Sequence, residues 1–221
     1  MRTTLAIAAC GPRLELALAA PGLEAPGAVA LAGPTPRSEL VMAAVDLLLR
    51  AAGIEHRRLE CVVATRGPGS FTGVRVALAT ASGLSLALGI PSHGYSSLLA
   101  QAARTDLPEV LAVQPARRGF VYAQRFERRD GHQVAIDEPT VVPLASLVEA
   151  PLPVVAPAGY AVPPGTGVAP TKRSTAEALL ELLVVAEASQ AAALEPLYLE
   201  PPPATPPTRT GPPWLPSPKA S

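Results

Sequence analysis

The stretch Arg66 to Arg75 reads RGPGSFTGVR, with three glycines, a proline, a serine and a threonine between two apolar runs. Backbone N–H groups at a helix N-terminus attract anions, so such a loop could hold a phosphate or simply turn a strand into a helix. It lacks the lysine of a phosphate-binding P-loop and the glycine spacing of a dinucleotide fingerprint. As a turn its chemistry is complete. Gly67 and Gly69 permit positive φ, Pro68 fixes one φ, Ser70 or Thr72 can cap a helix, and Gly73 sits in its first turn. The loop is expected to launch a helix and offer contact surface, not to hold a phosphate.

Other chemistry-bearing residues give weaker patterns. His56, His93 and His132 are too far apart in sequence to place two imidazoles on one helix face, so no metal site is expected. Ser92, Ser96 and Ser97 lack the G-x-S-x-G elbow of a serine nucleophile and read as loop and capping residues. Arg117 and Arg118 precede Gly119 at a strand end, with Tyr122 close behind. They suit a phosphate or carboxylate partner, and equally the solvated rim of a hairpin.

The elements that must position these residues are legible from composition and period. Hydrophobic residues make up 48% of the 221 positions but aromatics only 4%, so the core must be built from Ala, Leu and Val. Lys+Arg and Asp+Glu are both 18, and without a basic excess direct tight binding of nucleic acid is not expected. Cys10 and Cys61 lie in apolar runs and read as buried thiols of a cytoplasmic protein. Ile7-Ala8-Ala9-Cys10 resembles a lipoprotein cleavage box, but the apolar stretch before it is shorter than the roughly 7–15 residues of a signal sequence. No run reaches the ~18 apolar residues of a membrane span, so no membrane association is expected.

Strands are expected at 3–10, 13–20, 27–33 and 59–65, and later at 110–113, 119–126 and 132–138. Leu40, Val41, Ala44, Val45 and Leu48 make an apolar helix stripe over 37–52, with Thr35 or Ser38 as cap and Gly53 at its end. Val74, Leu78, Ala81, Leu84 and Leu88 make a second stripe over 72–88. Its many small residues predict close packing on both sides, and Gly83 in particular calls for a packing reason. Shorter helices are expected at 96–104, 144–149 and 175–189, the last capped by Ser174. Nine of the 21 residues from 201 to 221 are proline, which predicts an extended tail without ladders or helices. The order is that of an α/β chain with two lobes, 1–104 and 105–200.

On these residues the chain resembles the TsaB, or YeaZ-like, family. The block RGPGSFTGVRVALATASGLSLALGIPSHGYSSL carries the resemblance, supported by Ser38-Glu39, by Ala116-Arg117-Arg118-Gly119 with Tyr122, and by Pro196-Leu197-Tyr198-Leu199. The resemblance spans about residues 1 to 200. It implies the two-lobed actin/Hsp70/sugar-kinase (ribonuclease H-like) fold, mixed sheets with packed helices and a reduced second lobe. It also implies a role in the threonylcarbamoyl-adenosine modification of tRNA, as the non-catalytic partner of TsaD, joined by the small ATPase TsaE. The first two helices would then pair with TsaD, or with a second copy when the chain is alone. Candidate contact residues are Ser38, Glu39, Val41, Met42, Val45, Leu49, Phe71, Val74, Arg75 and Leu78. Arg117, Arg118 and Tyr122 are candidates for a tRNA or partner contact, with tRNA otherwise met only indirectly.

Departures from the family pattern bear on the cleft. An acidic residue usual in the first strand is Ala8, and the acidic residue usual before Ala-Arg-Arg-Gly is Pro115. Arg37 stands where the family has His, and Glu200 where it has Arg. Carboxylates facing the cleft would hold the metal that accompanies nucleotide phosphates, so no cofactor is expected and Mg-ATP binding is not anticipated. The rival reading is a nucleotide-binding ATPase or phosphotransferase of the same fold. A peptidase, lacking metal ligands, is a third.

Overall fold

The computed structural model describes residues 2–185 and 192–200. The expected tail at 201–221 and the end of the helix expected to reach 189 lie outside the described residues.

β1 (Thr4–Ala8) and β4 (Cys61–Thr65) are buried at every position. Their sequences, TLAIA and CVVAT, are the unbroken apolar runs that result when both faces of a strand are covered. β2 (Leu14–Ala19) is equally buried, whereas β3 (Gly27–Leu31) alternates between half-buried and exposed as an edge strand does. With β5 (Ser92–Tyr95) these form a sheet of order β3-β2-β1-β4-β5, antiparallel across β3, β2 and β1 and parallel across β1, β4 and β5.

Leu5, Ile7, Leu14, Leu16 and Leu18 face α1 (Arg37–Ala51) and α2 (Phe71–Leu88) on one side of this sheet. Ala6, Ala8, Ala17, Ala19 and Val63 face the other side, where α3 (Ser97–Ala102) and α4 (Thr175–Val185) pack. Alanines dominate the second set because two helices must fit between this sheet and the next.

The second sheet contains β6 (Glu109–Pro115), β7 (Phe120–Arg129), β8 (His132–Ala135), β9 (Thr140–Pro143) and β10 (Val154–Val155). Its order is β10-β6-β7, with β9 pairing the first half of β7 and β8 the last. Counted outward from β6, the pattern of antiparallel, antiparallel and parallel neighbours repeats that around β1. Its counterpart to β5 is a single parallel bridge between Val154 and Val168, so the second sheet is the reduced copy. α4, although late in the chain, packs against β1, β2 and β4 of the first sheet.

The fold corrects some local expectations and bears out others. Neither Thr35 nor Ser38 caps α1; Pro36 occupies the N-cap position with no side-chain bond, suiting its fixed φ. Ser174 caps α4 through a reciprocal pair with Glu177, whose backbone N–H donates to Ser174 Oγ at 3.2 Å while Glu177 Oε2 accepts from Ser174 N at 2.7 Å. The strand expected at 132–138 stops at Ala135, and 144–149 is a 3₁₀ turn, not an α-helix. Asp130 and Gly131 both take positive φ, 48° and 85°, in the β7–β8 hairpin turn.

α2 differs most from its reading. Its inner face is packed, but Gly83 is exposed and a Cβ there would meet nothing within 4 Å. No close neighbour among the described residues explains that glycine. The 18 residues of α2 also average a hydropathy of 1.4, enough by length and composition to cross a membrane, which a count of uninterrupted apolar residues misses. Its inner residues Val74, Val76, Ala77 and Ala81 are committed to the protein core.

Candidate functional site

The loop between β4 and α2 turns its polar groups inward. Ser70 N–H donates to Cys10 O at 2.9 Å, and Ser70 Oγ accepts from Gly73 N at 3.2 Å, which makes Ser70 the cap that starts α2. Gly67 O accepts from Ser97 N at 2.8 Å, and Ser97 Oγ donates to Pro68 O. Gly67 and Gly69 take φ of 104° and 145°. A Cβ on Gly69 would stand 2.6 Å from Cys10 O, and one on Gly67 would stand 2.5 Å from Leu197 O. The loop is therefore pressed between the β1–β2 turn and the C-terminal segment. Thr72 is exposed on the first turn of α2 and makes no cap.

Arg37 fastens this arrangement. From the first turn of α1 its guanidinium donates to Ala9 O at 2.9 Å and to Gly11 O at 2.7 Å, and it reaches Ser70 Oγ at 3.4 Å. Burial lowers its pKa. Below it, burial pushes the Cys10 thiol up to about 11, against the pull of a 3.1 Å bond to Thr65 Oγ1.

The crevice between the two sheets is closed. Ala8, Glu15, Thr65, Gln101, Gln114 and Pro157 are among the residues around a residual cavity of about 10 Å³. Pro157 Cβ would lie 3.0 Å from a Cβ on Gly11. Glu15 Oε2 accepts from Thr175 N at 2.7 Å, and Gln101 joins Thr175 Oγ1 at 3.3 Å to Arg104 Nη1 at 2.8 Å. Gln114 Oε1 is buried without a partner among the described residues. Pro115, the other position where a carboxylate is usual, ends β6 half-buried. Two larger surface hollows, of about 790 and 590 Å³, lie near the start of β1 instead, around Ile54 and Arg57 and around Cys61 and Leu180. Sequence reasoning gives no sign of either.

On the helix pair, the ten candidate contact residues divide. Ser38, Glu39 and Arg75 are exposed, Met42 is 48% exposed, and Phe71 is half-buried. Val41, Val45, Leu49, Val74 and Leu78 are buried, so no partner reaches those side chains. Val41, Val45 and Leu49 lie against the sheet, and Val74 and Leu78 pack with Cys10 and Leu194. Leu47 and Leu86, 56% and 88% exposed, lie off the apolar stripe and escape a reading based on it. A large apolar side chain outside the core-facing period is the signal that finds them.

Arg117 and Tyr122 meet through Glu200. Arg117 Nη1 bonds Glu200 Oε1, Tyr122 Oη donates to Glu200 Oε2 at 3.3 Å, and the Arg117 guanidinium lies 4.0 Å over the Phe120 ring. Burial and then Glu200 raise the Tyr122 pKa. Arg118 is exposed. Arg37 and Glu200, both departures from the family pattern, thus have separate partners. Tyr198 stacks on Phe71 with ring centroids 5.3 Å apart, and the Arg75 guanidinium lies 3.8 Å from the Phe71 centroid. His56 sits beside Asp46 in a 3₁₀ turn, His93 in β5 and His132 in β8, so the structure does not bring the histidines together.

Residues 36–197 match the family model described as TsaD: tRNA N6-adenosine threonylcarbamoyltransferase. The chain is 32% identical over 99 residues to the tRNA threonylcarbamoyladenosine biosynthesis protein TsaB of Escherichia coli, covering 43% of each chain. It is 36% identical over 101 residues to the protein of that name in Bacillus subtilis, covering 44% of each. The chain thus spans less than half the length of these curated relatives. The solved structure of YeaZ from Pseudomonas aeruginosa superimposes with a TM-score of 0.74 at 25% identity, over 90% of this chain and 100% of that one.

Proposed function

From the premise that this chain belongs to the TsaB, or YeaZ-like, family of TsaD-related proteins, we propose that it serves the threonylcarbamoyl-adenosine modification of tRNA as a non-catalytic subunit. In this reading it pairs with a TsaD-like protein through α1 and α2, a TsaE-like ATPase joins through that complex, and a second copy takes the same face when the chain is alone. tRNA is met through the partner. The chain itself binds no metal or nucleotide and works in the cytoplasm.

One observation carries the reading: two adjacent helices keep Met42, Leu47 and Leu86 in solvent, three of the eight large apolar side chains exposed among the described residues. Full burial of such a side chain is worth roughly 1.5–3 kcal/mol, and a partner face recovers the share that is still exposed. Ser82, Gly83 and Ala79 beside Leu86 let another helix approach closely. A stable interface needs about 800 Å² from each side, within reach of two such helices.

The closed crevice supports the non-catalytic part. Ala8 and Pro115 offer no carboxylate to a metal, and the space between the sheets is far below the several hundred Å³ of a small-molecule pocket.

Mixing the chain with a TsaD-like protein at micromolar concentration should give a 1:1 species on a sizing column with light scattering, at the expense of any homodimer. Two separate peaks would end the partner reading. Titration calorimetry with Mg-ATP should be silent for the isolated chain, and a saturable heat would favour the ATPase or phosphotransferase alternative.

A further inference from the structure

The nine residues from 192 to 200 run from the edge of the first sheet to the second. Ala192 exchanges two backbone bonds with Gly94 of β5, at 2.8 and 2.9 Å. Leu194 packs on Cys10, Val74 and Leu78. Leu197 N–H donates to Arg66 O at 2.7 Å, and Tyr198 stacks on Phe71. Leu199 reaches the layer between the sheets, and Glu200 is received by Arg117 and Tyr122 of the second sheet.

Open α/β sheets bind ligands in the crevice beyond the carboxyl ends of their parallel strands. Thr65 and Tyr95 end β4 and β5, and the residues that follow β4, Arg66 and Gly67, are the ones this segment covers. Within the crevice Gln114, 1% exposed, keeps Oε1 without a partner among the described residues. Such an atom calls for a hydrogen-bond donor, and the cavity of about 10 Å³ has room for about one water.

We propose that residues 192–200 form a lid over Cys10 and the loop after β4, at one wall of the inter-sheet crevice, with Glu200 as its latch to the second sheet and Leu194 as its apolar anchor. The inference stands apart from the partner reading. The latch is a half-exposed pair, with side chains 54% and 29% accessible, so it is weak and reversible. Opening the lid uncovers Cys10, one of the side chains around the crevice cavity. It also unstacks Tyr198 from Phe71 at the head of α2, which ties the state of the crevice to that helix face.

Alkylation of the full chain by iodoacetamide, mapped by peptide mass spectrometry, reads the opening at Cys10. The amide exchange of β1, buried at every position, reports wider unfolding. Cys10 should be modified faster than global unfolding, as read from β1, allows. Glu200→Ala should raise the Cys10 rate about two- to fivefold relative to the β1 amides. Leu194→Ala should raise that ratio further. A variant that only weakens the whole fold accelerates Cys10 and the β1 amides together, so the ratio is the readout. Cys10 tracking the β1 amides in the parent and in both variants would overturn the lid.

Discussion

Gly73 lies so near Ala9 that a methyl group on it would stand 1.9 Å from the Ala9 carbonyl oxygen. That carbonyl also accepts from Arg37, so α1, α2 and the β1–β2 turn converge on one atom. Gly73→Ala should destabilise the chain by about 1–3 kcal/mol or more, since backbone must shift to admit the methyl. Gly83→Ala, further along the same helix in open space, should instead stabilise by roughly 0.5–1 kcal/mol. Urea unfolding of the pair tests both; equal effects would contradict the packing described.

Arg37→Ala should cost about 1.5–3 kcal/mol, the range for hydrogen bonds from a charged donor, because Ala9 O and Gly11 O both lose their guanidinium partner. Arg37→Lys should recover only part, since an ammonium cannot span two carbonyls as the planar fork does. Denaturation midpoints of the three proteins provide the comparison.

Acid should weaken the fold through Asp106. Lys172 and Arg173 hold its carboxyl at about 2, against an ordinary value of 3.8. Between these values the unfolded chain takes up the proton and the folded one does not. The stabilisation is therefore complete above about pH 4 and disappears as pH falls through 2. Asp106→Asn should flatten the change in urea midpoint between about pH 5 and pH 2.5, and an unchanged slope would exclude the ion cluster as its source.

Base should act through Cys10 with the opposite sense. Its thiol titrates near 11 in the fold and 9.0 ordinarily, so the unfolded chain gives up the proton first. Its contribution is intact below pH 9 and is lost as pH rises through 11. Cys10→Ala should show a shallower decline across that interval in thermal melts.

Leu86→Glu should leave monomer stability within about 0.5 kcal/mol, because the side chain is 88% exposed. It should nonetheless weaken self-association and pairing with a TsaD-like protein in sedimentation velocity. Val45→Glu, at a fully buried position, should unfold the chain instead of merely uncoupling it.

Four of the five strands of the first sheet, the two long helices and the cap at Ser70 follow from local chemistry: apolar runs, a 3.6-residue stripe and a hydroxyl three residues before an amide. β5, whose Ser92-His93-Gly94-Tyr95 is no apolar run, does not. The site is less legible. Val41, Val45 and Leu78 read as contact residues because an apolar stripe marks a buried face without naming what buries it. Here the sheet buries Val41 and Val45, Leu78 packs with Cys10 and Leu194, and Met42, Leu47 and Leu86 stay in solvent.

The sequence by itself determined the alternation of elements, the glycine-rich launch of α2 and the absence of carboxylates at Ala8 and Pro115, because these depend on neighbours in the chain. Only the tertiary structure decided that Glu200 serves Arg117 across 83 positions, that Arg37 staples Ala9 and Gly11, and that the crevice is shut. Those depend on which backbones the two sheets bring together, and no local period encodes a contact between segments that distant.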